Sequence, residues 1–402
     1  MNRGLESAGP VVGRGMRRPG ILSSLWLAVA ALLLFVGALP AGAAPEPSAQ
    51  QDPTPVLAYY YIWFDPTSWY RAKTDYPLLG RYSSDEKEVM RQHIEWAKGA
   101  GIDGFIVSWK STPVLNRRLD KLVEVAEEED FKLAIIYQGL DFERRPLLVD
   151  RIATDLEYFV RQYAHSSVFD IFGKPLIVWS GTWAYSRDQV AEVTAPLRDR
   201  LLILASEKNV DGYQHLADVV DGDDYYWSSV NPEMRGYQEK LDAMATAVHD
   251  HGGLWIAPAA PGFDARLVGG KTVVDRKNGE TLRRQMDAAI KSSPDAVGLV
   301  SWNEFSENTH IEPSENYGTR YLEVLADILG GVAPVATDFD SSEPAATAAG
   351  YGTGYSLAVL AGIAAIIVVG LVVIVRRGGR KSGAPPMHGK GKGKDGLSTT
   401  AV

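Results

Sequence analysis

Between Pro55 and Gly331 short apolar runs alternate with stretches whose apolar residues recur at helical spacing. The runs predicted as strands are Val56–Tyr61, Gly104–Trp109, Lys132–Gln138, Pro175–Ser180, Leu201–Ser206, Asp218–Asp221, Leu254–Pro258 and Val297–Trp302. Helices are predicted over Asp85 to Gly99, Asn116 to Glu129, Leu147 to Tyr163, Gly236 to His251 and Glu280 to Lys291. Runs that are apolar on both faces of the pleat suit buried parallel strands. Their repeated alternation with helices predicts an α/β chain folded as a (β/α)8 TIM barrel over residues 55–331. A doubly wound open sheet is the alternative. That fold usually carries a Gly-rich phosphate turn after its first strand, where this chain has YYYIWFDP.

The two ends read differently. Arg14, Arg17 and Arg18 precede an apolar run from Ile21 to Leu39, followed by the small-x-small string Ala41-Gly42-Ala43. This predicts a secretory signal over residues 1–43 and a linker over 44–54, with an uncleaved N-terminal anchor as the alternative. Residues 332–354 are rich in Ala, Thr, Ser and Pro and predict a stalk. Tyr355 to Val375 carries no charge and is long enough to cross about 30 Å of hydrocarbon. Arg376, Arg377, Arg380 and Lys381 follow at once. The expectation is a single-pass cell-membrane protein, its barrel outside and its basic tail, 376–402, in the cytoplasm.

Composition narrows the chemistry. The chain has 402 residues, 46% of them hydrophobic, a net charge of −9 and no cysteine. Without thiols there are no thiolate metal sites, cysteine nucleophiles or disulfides. No basic stripe points to nucleic acid. No G-x-S-x-G elbow, Walker loop or H-E-x-x-H string occurs. Glu307 and His310 have E-x-x-H spacing but lack the partner motif of a di-metal carboxylate site, so neither metal nor cofactor is expected.

Chemistry in such barrels sits where strands end. The last predicted strand runs into SWNEFSENTHIEP, Ser301 to Pro313, which delivers Glu304 and Glu307 with Asn303 beside them. Two carboxylates at a barrel mouth supply the acid–base pair that cleavage of a glycosidic bond requires. The other strand ends are aromatic and acidic, and Tyr60, Tyr61, Trp63, Trp109, Gln138, Asp223, Tyr225, Trp302 and Asn303 are the predicted substrate-binding set. Aromatic faces that stack on sugar rings, beside groups that bond hydroxyls, predict an oligo- or polysaccharide substrate. Packing inside the core is the competing use for each aromatic.

SWNEFSENTHIEP resembles the Asn-Glu-aromatic-x-Glu, then Thr-x-Ile-Glu, signature of glycoside hydrolase family 99, the endo-acting α-mannosidases. YYYIWF near Tyr59 resembles that family's first strand, and PLLGRYSSDEKEVMRQHIEWAKGAGIDGFIVSW, Pro77 to Trp109, its Gly-x-Tyr-Ser-Ser loop with the following helix and strand. WIAPAAPGFDAR from Trp255 and RKNGETLRRQMDAAI from Arg276 are similar to a later strand and helix. The resemblance covers most of Pro55 to Leu325. It implies Glu304 as general base and Glu307 as general acid in retaining cleavage of α-linked, mannose-containing glycans. It further implies that the base removes the proton of the substrate 2-hydroxyl, whose oxygen attacks C1 to give a 1,2-anhydro sugar. For these roles Glu307 is expected to stay protonated, with a raised pKa, and Glu304 to stay ionised.

The chain departs from the family pattern in three places. Tyr137-Gln138-Gly139 stands where Ile-Glu-Pro is usual, and Asp221-Gly222-Asp223-Asp224-Tyr225 replaces an aromatic pattern. Ser306 and Asn308 replace His and Gly around the second glutamate. A non-catalytic carbohydrate-binding barrel and a protein of envelope polysaccharide assembly are the alternative readings. Gln138 favours the first of these, while retention of both glutamates speaks against it.

Overall fold

The structure is a computed structural model and describes residues 53–334, apart from 142 and 227–229. The predicted signal, membrane span and tail, and all of the predicted stalk beyond residue 334, lie outside the described residues. Among the described residues no helix is long and apolar enough to cross a membrane.

Eight parallel strands form one sheet: β1 (Val56–Tyr61), β2 (Gly104–Trp109), β3 (Lys132–Gln138), β4 (Leu176–Ser180), β5 (Leu202–Leu204), β6 (Gly222–Asp224), β7 (Leu254–Ala259) and β8 (Ala296–Leu299). Neighbours run in the order β5-β4-β3-β2-β1-β8-β7-β6. The ends of that order meet at a parallel bridge between Ala205 and Asp223. There Ala205 N–H donates to Gly222 O at 3.0 Å and Asp224 N–H to Ala205 O at 2.8 Å. The ring of strands is thereby closed, as in a (β/α)8 barrel, and the open-sheet alternative falls.

The helices are α1 (Lys87–Gly99), α2 (Pro113–Glu128), α3 (Val149–Gln162), α4 (Arg187–Thr194), α5 (Val210–Leu216), α6 (Tyr237–Asp250), α7 (Glu280–Lys291) and α8 (Arg320–Leu329). Helix α2 begins ahead of the predicted Asn116 because Thr112 caps it, accepting from Leu115 N–H at 3.3 Å, with Pro113 in the first turn. Helix α4 follows a Ser186–Gln189 capping box.

Side chains alternate between two cores. Leu57, Tyr59, Tyr61, Ile106, Ala134, Ile136, Leu176, Val178, Leu204, Ile256, Ala296 and Val300 pack together inside the ring. Val56, Ala58, Tyr60, Phe105, Val107, Trp109, Tyr137, Trp179 and Trp255 pack outward against the helices. Paired residues of parallel strands share a face, so register carries this parity around the barrel. Tyr59 pairs with Ile106, Tyr61 with Ser108, Gln138 with Ser180 and Asp224 with Ile256, all on the inner face.

The sixth strand corrects the expectation of Asp218–Asp221. Val219 and Val220, which suggested it, are buried in the outer core just after α5, while the strand itself is Gly-Asp-Asp. A three-residue strand without an apolar side chain leaves no hydrophobic signature. Gly222, at φ +151, runs so close to the β7 backbone at Leu254 that no Cβ fits there.

Gly298 makes room for the inner face. A Cβ there would stand 3.1 Å from Tyr59 Cε2 and 3.2 Å from Ile256 Cγ2. Gly298→Val is expected to overpack the ring beneath Tyr59 and to destabilise the fold by about 1–3 kcal/mol, read as a lower urea midpoint in equilibrium unfolding.

Candidate active site

After β8 the chain makes a short excursion that is bonded to its own base. Ser301 N–H donates to Thr309 O at 2.9 Å, Ile311 N–H to Ser301 O at 3.0 Å, and the hydroxyls of Ser301 and Thr309 meet at 2.9 Å. Glu304 N–H donates to Ser301 Oγ at 2.9 Å. Asn308 turns the loop back at φ +54, a left-handed conformation that Asn tolerates.

Asn303 fastens this loop to β1. Its Oδ1 accepts from Tyr61 N–H at 2.8 Å, and its Nδ2 donates to Tyr61 O at 3.0 Å and to Tyr82 Oη at 3.3 Å. Tyr82 donates to Glu312 Oε2 at 2.8 Å, the other oxygen of Glu312 bonds His93 Nε2 at 3.0 Å, and His93 Nδ1 bonds Tyr60 at 3.0 Å. Every member of this chain is buried.

Glu304 and Glu307 share the upper face of the excursion. Glu304 is 8% exposed, and its Oε1 accepts from Ser306 N–H at 2.8 Å. Burial, reinforced by the charge of Glu307, raises its pKa to about 7, against the pull of the Ser306 hydrogen bonds and of Lys73. Glu307 is half-buried, and burial raises its pKa too, opposed by Arg144. The expectation for Glu307 agrees with this. Glu304, expected simply to stay ionised, is instead poised near neutrality, because both carboxyls occupy the same dry ground.

Tyr61 and Tyr226 face both glutamates, and their hydroxyls bond one another. Trp63, 42% exposed, lies over the Tyr61 ring at 4.3 Å and 28°. The two rings form an apolar ledge beside the acids. On the same inner face Gln138 Nε2 donates to Ser108 Oγ at 3.2 Å. Deeper in the ring Tyr59 donates to Asp224, whose pKa burial raises to about 7.

Of the predicted set, the structure brings together Glu304, Glu307, Tyr61 and Trp63, with Asn303 as the clamp beneath them, and puts Gln138 on the same inner face beside Ser108. It turns the others away. Tyr60 stacks on Phe105 at 4.5 Å and bonds His93, and Trp302 packs at 5.3 Å from Phe105. Trp109 donates to Asn116 of α2 at 3.0 Å. Tyr225 lies under Lys240 of α6, whose ammonium is 4.6 Å from its ring. Asp223 pairs with the outward Trp255 and accepts from Glu207 N–H at 2.8 Å. All five occupy the outward parity of their strands or strand ends. Tyr59, Asp224 and Tyr226 take the inward places, and counting by twos from Tyr61 and Ile256 would have found them had the register been known. His310 is not a partner of Glu307: its Nε2 faces Asp75 at 3.3 Å and its ring stacks on Phe305 at 4.2 Å. Among the described residues no group of three or more His, Asp or Glu side chains could hold a metal ion.

A closed parallel barrel with an acid pair and an aromatic ledge at its C-terminal mouth defines a class of carbohydrate-directed proteins. The pattern of glycosyl hydrolase family 99 matches residues 70–325, more than half of the chain, and the chain belongs to that family. It is 22% identical over 276 residues to a human protein described as glycoprotein endo-alpha-1,2-mannosidase-like, covering 62% of this chain and 60% of that one. The zebrafish (Danio rerio) protein of the same description is 23% identical over 280 residues, 63% of this chain and 62% of its own length. The chain thus spans about 60% of the length of the curated relatives it matches. Among solved structures it is similar to a family 99 endo-alpha-mannosidase from Bacteroides thetaiotaomicron in complex with bis-tris-propane, with a TM-score of 0.61 and 21% identity, covering 69% of this chain and 98% of that one. At that identity the likeness speaks for the fold.

The raised pKa of Glu304 has a consequence for stability. A carboxyl whose folded pKa is about 7, against an ordinary 4.5, stabilises the fold below the lower value and loses that contribution as pH rises through the higher one. Glu304→Gln removes the ionisation. The variant is expected to match the parent near pH 4 and to exceed it at pH 8 by on the order of 3 kcal/mol, at about 1.4 kcal/mol per pKa unit. Urea unfolding at the two pH values measures this.

Proposed function

We propose that this protein is a retaining glycoside hydrolase that cleaves α-linked, mannose-containing glycans. The observation that carries the reading is the acid pair Glu304 and Glu307, both with raised pKa, facing the Tyr61–Tyr226 hydroxyl pair under a Trp63 ledge. The family and the descriptions of its relatives support the sugar.

In the proposed reaction a mannose ring lies against Tyr61 and Trp63. Glu304 removes the proton of the axial 2-hydroxyl, and O2 attacks C1 from the face opposite the leaving group. Glu307 protonates the departing glycosidic oxygen. The bond from C1 to the leaving oxygen breaks as the O2–C1 bond forms, giving a 1,2-anhydro sugar. Water, deprotonated by Glu307, then opens the three-membered ring at C1 while Glu304 returns the proton to O2. Two inversions give net retention, and neither carboxylate bonds the sugar. A base with a pKa of about 7 suits removal of a weakly acidic hydroxyl proton near neutral pH.

Glu307→Gln is expected to slow substrates with poor leaving groups most and to spare activated aryl glycosides. Glu304→Gln should slow both kinds alike, each loss on the order of 10²–10⁴-fold in kcat. A 2-deoxy substrate should be nearly inert and the products should retain configuration, followed by NMR of the first-formed anomer. Normal cleavage of the 2-deoxy compound returns the glutamates to conventional nucleophile and acid roles. If neither substitution alters turnover, the barrel binds glycans without cleaving them.

We also infer that the barrel stands outside the cell, tethered through residues 355–375 with the basic tail inside. Protease added to intact cells is expected to remove the barrel and leave an epitope at the extreme C-terminus protected. A protected barrel would reverse the topology.

A further inference from the structure

One peptide group links Glu304 to a distant part of the chain. The amide between Phe305 and Ser306 gives its N–H to Glu304 Oε1 at 2.8 Å. This amide is trans, so its carbonyl points the opposite way, toward the β1–α1 connection. There Thr74 meets it twice, with its N–H at 3.1 Å and its hydroxyl at 2.7 Å. A carbonyl oxygen has two lone pairs, and Thr74 supplies a donor for each. The result is a series of bonds from the Thr74 hydroxyl, through a single amide, to the carboxyl of Glu304.

The donor is itself held in place. Thr74 is half-buried, and the residues after it are strapped to the chain beyond the acid-bearing loop. Leu78 N–H donates to Pro313 O at 2.9 Å and Glu315 N–H to Tyr76 O at 2.8 Å, while Asp75 Oδ1 accepts from Asn316 N–H at 3.0 Å. Hydrogen bonds in series polarise one another, each strengthening the next by roughly 10–30%. A carbonyl that accepts two bonds therefore leaves its amide N–H a better donor, and a donor to a carboxylate favours the ionised form. The charged and titratable groups that act on Glu304 are Glu307 on its own loop, Lys73 next to Thr74, Tyr61 on β1 and Tyr226 after β6. Thr74 carries no charge, so removing its hydroxyl leaves every one of these in place.

We propose that Thr74 is a positioning residue for the reaction: acting through the Phe305–Ser306 amide, its hydroxyl sets the Glu304 carboxyl in place and strengthens the backbone bond that supports its ionised form. The inference rests on the proposed role of Glu304 as base. Burial pushes this carboxyl toward its protonated form, and the Ser306 N–H is one of the groups that oppose burial. Thr74 reinforces that opposition from the far side of the amide, without bringing a charge to the mouth or touching the substrate.

Two measurements on the full chain test it. The first needs no substrate. Protein labelled with 13Cδ glutamate gives a carboxyl resonance for Glu304, assigned by its loss in Glu304→Gln. Thr74→Val removes the hydroxyl while keeping the N–H and the side-chain volume, and Thr74→Ala removes it without the branched methyls. In both variants the titration midpoint of Glu304 is expected to rise by about half a pH unit, the scale set by a carboxylate bond weakened by roughly 10–30%. Thr74→Ser keeps a hydroxyl and should keep the parent midpoint. A midpoint that stays or falls in Thr74→Val and Thr74→Ala, or that rises equally in Thr74→Ser, overturns the proposal whatever the activity. The second measurement is the pH profile of kcat/KM. Its acidic limb should move upward by the same half unit in Thr74→Val, a loss of about threefold on the acid side with the alkaline side unchanged, and return in Thr74→Ser. A loss equal at every pH is what a merely loosened loop would give, and it overturns the proposal. A midpoint that moves while the limb does not, or that moves in a protein that cleaves no glycan, supports the hydrogen-bond series and puts the failure on the proposed reaction.

Discussion

The carboxamide of Asn303 returns both of its ends to the backbone of Tyr61, accepting from the N–H at 2.8 Å and donating to the carbonyl at 3.0 Å. A side chain thereby continues the hydrogen-bond ladder past the end of β8, where the neighbouring backbone has left the sheet. Trp302 N–H, bonded to Tyr59 O at 2.7 Å, is the last main-chain contact of that ladder. Because of this clamp Glu304 and Glu307 come within electrostatic reach of Tyr61. The clamp is itself held by the buried series of Tyr82, Glu312, His93 and Tyr60. Each unpaired buried polar group would cost about 1–3 kcal/mol, so the series admits one arrangement and the loop inherits its rigidity.

That rigidity lets the mouth hold groups that oppose folding. Glu304 and Asp224 both have pKa values of about 7, raised first by burial. Ionising either at neutral pH works against the folded state. Tyr59, Tyr61 and Tyr226 converge on the same space, where burial raises their pKa values and keeps their hydroxyls protonated as donors. Concentrating titratable groups at one end of a ring otherwise filled by Leu, Ile, Val and Ala is the usual mark of a site kept at the expense of stability.

The departures from the family pattern now have physical content. Ser306, where His is usual, adds a side-chain hydrogen bond to Glu304 that lowers the pKa that burial raises. Gln138, where an acid is usual, bonds Ser108 on the neighbouring strand. An amide there presents donors as well as an acceptor to the cavity, which changes the hydroxyls that can be met without adding a charge to an already acidic mouth.

Strand and helix placement was legible in the sequence because burial on two faces leaves continuous apolar runs and burial on one face of a helix leaves a periodic stripe. β1, β2 and β3 have the predicted bounds, and α7 does too. The acid-bearing loop was legible because it follows the last such run. Which aromatic entered the site was not legible. Tyr59, Tyr60 and Tyr61 are chemically alike, and neighbouring residues on a strand point to opposite faces, so a shift of one residue exchanges core for cavity. β6, with no apolar residue, gave no frame from which to count, and Asp223 was chosen where Asp224 points inward. Register across the ring decided that parity. Lys73 and Arg144, remote in sequence from the glutamates, entered for the same reason: an electrostatic contact between loops is a property of folded distance, which no local pattern encodes.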